Sequence, residues 1–235
     1  MAYTTIDNPE LHFQTKLYTG NGSSTQAITL DGSENMQPDW IWIKNRTDGH
    51  WHNLNDSVRG AGAGQVLRSN TNSSEGGTSG HVSSFDSDGF TVAAGTSNAE
   101  EVNTSSDNYV SWNWKAGTTS GISGSPSITP SGYSFNQTAG FSIIAYTGNA
   151  SVGATIPHGL GVAPAVIIFK NRDSSVKWVV YHHKAATSSP EDVHLELNDT
   201  TAASNDDSIL NDTAPSSTLI TMKTSSSVNS NSIKC

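Results

Sequence analysis

The sequence predicts an all-β protein made of two tandem antiparallel β-sandwiches of the jelly-roll kind, and three observations predict it. Ser, Thr, Asn and Gly supply 102 of the 235 residues, while hydrophobic residues reach only 34%. Ala, Glu, Lys, Leu and Arg are too scarce for a helical bundle or coiled coil. An internal repeat of domain length organises the chain. Apolar residues come in short runs bounded by turn formers, and no stretch longer than ten residues keeps a 3.6-residue period.

The repeat is read by setting Phe13–Arg46 beside Phe141–Arg172. Phe13 matches Phe141, Tyr-Thr-Gly-Asn recurs at 18–21 and 146–149, and Ile28 matches Ile156. Gly32 is followed in the second copy by Gly159 or Gly161, then Pro38 matches Pro164. Lys-Asn-Arg recurs at 44–46 and 170–172, and Trp51 continues to Trp178. The offset runs from 128 to 126, too long for a solenoid unit, so the expectation is two copies of one domain. Domains at 1–118 and 119–235 are expected, joined by the Gly/Ser/Thr/Pro-rich start of 116–139, with Ser127-Ile128-Thr129 as a first short strand.

Each strand has its own signal. Asp39–Lys44 and Ala165–Lys170 are apolar on both faces and bounded by turn residues, which predicts a buried strand in each copy. Tyr-Thr-Gly-Asn ends a β run and offers residues suited to φ > 0. Phe85-Asp-Ser-Asp-Gly-Phe90 reads as a hairpin. In Tyr109–Lys115, Val110, Trp112 and Trp114 share one face and Ser111 and Asn113 the other; the Trp face is expected to turn inward. Trp40 and Trp42 are likewise expected in the core, because the second copy places Val166 and Ile168 there. Leu195, Leu197, Leu219, Ile220 and Met222 mark later strands. The strand 109–115 closes the first copy, whereas its counterpart would begin near Asn231–Cys235. The expectation is therefore a chain that continues past Cys235, the alternative being an edge completed by a neighbour.

Charge and composition narrow the function classes. Twelve basic against 21 acidic residues give a net charge of −9, with no basic cluster of the kind that grips nucleic acid. No apolar run of 18 residues is present to span a membrane, and Met1–Thr5 lacks the look of a secretory signal. The only cysteine, Cys235, precludes an intrachain disulfide.

Among possible sites, Arg59–Gln65 is Gly-rich but lacks the Lys-Ser/Thr of a phosphate loop and reads as a flexible loop. Asp86-Ser-Asp88-Gly89 resembles a calcium loop without its later ligands, so a turn is the better reading and calcium stays open. His50, His52, His182 and His183 sit in matching parts of the copies, but adjacent histidines on a strand point apart, so no metal is assigned. No nucleophile elbow or zinc-protease signature occurs, and the acid pairs Glu100-Glu101 and Glu191-Asp192 read as solvated. No catalytic residue and no cofactor is expected. Trp51, Trp178 and Tyr181 are the candidates for stacking on a sugar, set against a plain packing role. Lys44, Arg46, Lys170 and Arg172 hold one position in both copies and are expected to bind an acidic loop at the sandwich edge, or else a neighbouring subunit.

The run Tyr-Thr-Gly-Asn, then a His-Gly-Leu turn, then Pro-x-[Trp/Val]-[Ile/Val] leading to Lys-Asn-Arg, and the alternating Tyr-Val-Ser-Trp-Asn-Trp strand resemble a repeat in structural proteins of marine tailed bacteriophages. The resemblance covers Leu11 to Cys235. It implies concanavalin- or LamG-like sandwiches in a tail-fibre or other virion protein, with repeats that usually run on, and it assigns no catalytic residues. The expectation is a non-enzymatic virion component, assembled in the host cytoplasm with other virion proteins, contacting host-surface glycan as a homo-oligomer, with a trimer the natural guess. A capsid-decorating or head-fibre protein, a carbohydrate-binding adhesin module and a polysaccharide-degrading enzyme are the alternatives.

Overall fold

The computed structural model describes residues 6–96 and 101–235. It is all-β: its only helical pieces among these residues are three single 3-10 turns, Pro9–Leu11, Ala63–Gln65 and Pro190–Asp192. Among the described residues, no helix is long and apolar enough to cross a membrane. Two compact units are present: Met1–Ser69 with Glu75–Gly117, and Asn70–Ser74 with Thr118–Cys235.

The first unit contains β1 (Phe13–Thr19), β2 (Thr25–Thr29), β3 (Trp40–Asn45), β4 (Asn53–Asp56), β5 (Leu67–Arg68), β6 (His81–Asp86), β7 (Gly89–Ala93) and β8 (Asn108–Trp114). One sheet has the order β1-β8-β3-β4-β5, the other β2-β7-β6, all antiparallel. The Phe85–Phe90 hairpin forms as its sequence requires. Ile41, Ile43 and Tyr109 from the first sheet meet Val82, Phe90 and Val92 from the second, giving a sandwich core.

Side-chain alternation then places Trp40, Trp42, Trp112 and Trp114 on the opposite face, each only half-buried. This corrects the inward placement of the tryptophans. Ser111 and Asn113 take the inward positions instead, fully buried. Asn113 donates Nδ2 to the Gln14 carbonyl at 3.1 Å and to Ser111 Oγ at 2.9 Å, which offsets part of the cost of burying an amide.

The second unit contains β9 (Gly132–Asn136), β10 (Phe141–Ala145), β11 (Ala154–Pro157), β12 (Val166–Phe169), β13 (Val179–His182), β14 (Val193–Glu196), β15 (Ser204–Asn205) and β16 (Leu219–Met222). They form sheets β10-β9, β11-β16 and β12-β13-β14-β15 around Tyr146, Ile156, Phe169, Val179, Tyr181, Leu210 and Met222. Ser127-Ile128-Thr129 is not a strand, although Ile128 is buried in this core.

One hydrogen-bond set is built in both units. Tyr18 donates its hydroxyl to the Val102 carbonyl at 2.9 Å, and Tyr146 to Val228 at 2.7 Å. Asn103 Oδ1 accepts from Asn21 N at 3.0 Å, and Asn229 Oδ1 from Asn149 N at 2.9 Å. Gly20 N and Gly148 N donate to the carbonyls of Asp107 and Ile233, and their own carbonyls accept from Ser106 N and Ser232 N. Ser106 and Ser232 share the left-handed backbone, at φ 71° and 61°. The glycine of Tyr-Thr-Gly-Asn is needed here for close approach rather than for φ > 0. A Cβ at Gly20 would lie 2.2 Å from the Thr104 oxygen, and one at Gly148 2.3 Å from the Ser230 oxygen.

Gly20→Ala and Gly148→Ala should therefore each destabilise the protein by about 2–4 kcal/mol in urea denaturation, whereas Gly49→Ala should stay within about 0.5 kcal/mol. The contrast rests on Gly49, whose added Cβ would meet nothing within 4 Å.

Candidate functional site

The outward face of β1-β8-β3 carries a strip of contacting aromatic rings. The pairing register sets Trp114 between Phe13 on β1 and Trp40 on β3, and sets Trp112 opposite Trp42. Ring centroids are 4.9 Å apart for Phe13–Trp114, 5.9 Å for Trp40–Trp114 and 6.1 Å for the edge-on Trp42–Trp112 pair. Phe13 is 36% and neighbouring Leu17 60% exposed, so the strip opens to solvent at its β1 edge. Rings fixed on a sheet lose little entropy on binding, and aromatic rings of this kind are chemically able to stack on the apolar face of a flat or cyclic ligand.

The residues singled out by sequence part company in the structure. Trp51 is 48% exposed, with the Arg68 guanidinium 4.9 Å from its ring centroid. Trp178 and Tyr181 are both buried at 3% exposure, which corrects their reading as stacking candidates. Trp178 donates Nε1 to the Thr71 carbonyl at 3.1 Å inside the second unit, and Tyr181 lines the core.

Lys44 and Lys170 turn their ammonium groups onto backbone carbonyls of the loop that follows: Lys44 onto Asn45 and Asp48, Lys170 onto Val176 at 2.7 Å and Ser174 at 3.5 Å. The retained pattern thus organises its own loop, and Asn is its centre. Asn45 Oδ1 accepts from Thr47 N and Asp48 N, and Asn171 Oδ1 from Asp173 N and Ser174 N. Arg46 is exposed, while Arg172 is half-buried and donates its backbone N–H to the Lys234 carbonyl.

Other charges are interior. Glu101, expected to be solvated, is 2% exposed; its Oε1 accepts from Arg68 Nη2 at 2.9 Å and Nε at 3.1 Å, and its Oε2 from Asn53. Its sequence neighbour Glu100 lies outside the described residues. Arg59, in the loop read as flexible, is buried between Asp56 and Glu75. Asp86 and Asp88 are engaged by Ser84, Thr91 and the Met36 N–H, which makes the hairpin turn their first role. Asp48, His50 and Asp107 bring ligand-type atoms within 4.8 Å of one another. Asp48 is exposed and Asp107 already accepts from Asn45 at 2.8 Å, so this group first braces the Lys-Asn-Arg loop.

Burial lowers the Lys170 ammonium to about 8, opposed by the field of Cys235. It raises the Cys235 thiol to about 11.

A family model described as a domain of unknown function (DUF7483) matches residues 8–234, and the chain belongs to that family. No curated protein and no solved structure matches the chain.

Two measurements follow from the buried charges. Arg68→Met should cost about 3–5 kcal/mol in urea denaturation, since it strands the Glu101 carboxylate in the interior. Lys170 binds its proton less tightly when folded, so the unfolded chain carries more protons from about pH 8 upward. Stability should accordingly rise between about pH 7.5 and pH 9, and Lys170→Met should abolish that rise. Cys235 acts oppositely above about pH 9, where the unfolded thiol ionises first and stability is lost.

Proposed function

We propose that this protein is a non-enzymatic structural component of a bacteriophage virion, a tail-fibre or appendage part that meets host-surface glycan through the aromatic strip of its first unit. The observation that carries this reading is the outward placement of Phe13, Trp40 and Trp114 as one contacting trio and of Trp42 and Trp112 as a contacting pair on the same face. Packing alone does not require large aromatic rings on that face, since the core beneath is supplied by Ile41, Ile43 and Tyr109. The second copy keeps Phe141 but carries Val166 and Ile168 at the matching places, so the strip belongs to the first unit.

The virion assignment is supported by the sequence resemblance and by the tandem, Ser/Thr/Asn/Gly-rich, cysteine-poor architecture. Stacking on one strip gives weak affinity, and a homo-oligomer, for which a trimer is proposed, would convert it into firm attachment by raising effective concentration. Trp51 offers a separate exposed ring.

Glycan-array binding of the purified protein tests the reading. Bacterial surface polysaccharide should bind with a change in tryptophan emission, and Trp112→Ala should weaken binding at least tenfold while far-UV circular dichroism is unchanged. Immunogold label against the chain should decorate the particle tail. Label confined to the head would favour a decorating role, and an array without hits would remove the glycan.

A further inference from the structure

We propose that the first unit binds one divalent transition-metal ion of the zinc class through Asp48, His50 and Asp107. Each of these side chains brings one ligand-type atom within 4.8 Å of the others. Asp48 and His50 lie on the loop between β3 and β4, and Asp107 lies directly ahead of β8, so the set is assembled only in the folded sheet. One imidazole with two carboxylates is a mixed nitrogen and oxygen set. It suits zinc, cobalt(II) or manganese(II) better than calcium, whose sites are built from oxygen. Zinc ligands stand about 2.0–2.2 Å from the ion, hence about 3.4 Å from one another, a spacing that rotation of the exposed Asp48 side chain would reach.

The fold itself does not ask for these three residues, because the second unit builds the same junction without them. Asn45 and Asn171 each accept from the N–H groups two and three residues onward. Arg46 N and Arg172 N donate to the Asn108 and Lys234 carbonyls at 2.7 and 2.8 Å, and Gly20 N and Gly148 N to those of Asp107 and Ile233. Asn108 N donates to Thr47 Oγ1 at 2.9 Å, and Lys234 N to Asp173 Oδ2 at 2.8 Å. In this frame Asp48, His50 and Asp107 fall at Ser174, Val176 and Ile233, none of them a carboxylate or an imidazole. The three ligand-type side chains are therefore additional to what the backbone requires.

Their surroundings orient them as ligands. Asp107 is 8% exposed, and its Oδ2 accepts from Asn45 Nδ2 at 2.8 Å. A carboxylate has two oxygens and roughly four lone-pair sites, so this bond fixes the direction of the group without filling it. Hydrogen bonds of this kind stand behind metal-ligating carboxylates. Asn171 gives its Nδ2 to the Ser226 carbonyl at 2.7 Å instead, so the amide does not need an aspartate as its acceptor. Asp48 is held by its backbone, its N–H donating to Asn45 Oδ1 at 2.9 Å and its carbonyl accepting from Lys44 Nζ at 3.1 Å, while its side chain is exposed. Two carboxylates at this spacing repel each other in a chain of net charge −9, and a divalent cation relieves that repulsion.

Three protein ligands leave at least one coordination position for water or an external oxygen ligand. The ion ties the loop after β3 to the start of β8, as the Tyr-Thr-Gly-Asn turn ties the end of β1 to it from the other side. A site assembled only on folding adds its binding free energy to the folded state.

The intact protein, dialysed against a chelator and then buffer, is titrated with zinc chloride by calorimetry, and nitrogen–proton correlation spectra of the histidine rings locate the ion. The expected result is saturable one-to-one binding with Kd of about 100 μM or tighter, a shift of the His50 ring signals, and a thermal midpoint that rises with zinc concentration. His50→Ala and Asp48→Asn should each weaken binding at least tenfold at unchanged far-UV circular dichroism, since the second unit builds its loop with Val176 and Ser174 at those places. His183→Ala should leave binding as it is. The proposal is overturned by no saturable binding up to about 1 mM zinc, by equal binding to the His50→Ala protein, or by equal affinity for calcium.

Discussion

The placement of β8 between β1 and β3 is the constraint on which the first unit rests. β8 follows β1 by nearly the whole length of the unit, yet its ladder joins both neighbours. Without it the five-stranded sheet would separate into an isolated β1 and a β3-β4-β5 ribbon. It also sets Tyr109 stacked on Tyr18 at 5.0 Å, which closes one end of the core. Long-range pairing of this kind is paid for in loop-closure entropy before it is rewarded. The Tyr-Thr-Gly-Asn lock meets that cost locally. By tying β1 to Val102, Asn103 and Asp107 just ahead of β8, it delivers the strand at the correct register.

The same geometry explains how a chain with so few apolar residues keeps a sandwich. The inner face of the larger sheet is apolar around Ile41, Ile43 and Tyr109, but Asn53, Asn55, Ser111 and Asn113 are also fully buried there. Asn55 Oδ1 accepts from Val82 N at 3.3 Å and Asn53 Nδ2 donates to the Gly80 carbonyl at 2.9 Å, so these side chains fasten the smaller sheet through directional bonds. Arg68 and Glu101 close that polar region as a buried pair. Such a pair contributes little net stability, yet losing either partner leaves a charge in the interior. Polar fastening of this kind favours a single sheet register, because a slip by one residue would bury the wrong set.

Sequence made the repeat, the central strand β3 and the Asp86–Gly89 hairpin legible, because each is written in neighbouring residues; the strand expected to be buried at Ala165–Lys170 instead stands at the end of its sheet, with Val166 47% exposed. It did not reveal which face of β3 and β8 turns inward. Both faces carry apolar residues, and the exchange of Trp40 and Trp42 for Val166 and Ile168 suits a solvent-facing strip as well as a core. The partner of Glu101 was hidden for another reason: Arg68 lies 33 residues away, and no periodicity links them. The repeated Asn of Lys-Asn-Arg was legible in principle. An Asn kept between two cations at the end of a strand is well suited to bond backbone N–H groups two and three residues onward.

The aromatic strip, too, depends on β8. In the first unit, Phe13 and Trp40 meet only because Trp114 stands between them, at 4.9 and 5.9 Å. In the second unit Phe141 keeps its place, while Val166 and Ile168 stand where Trp40 and Trp42 do. The repeat alone therefore does not carry the strip, which needs both the sheet order β1-β8-β3 and the tryptophans that β3 and β8 bring to it.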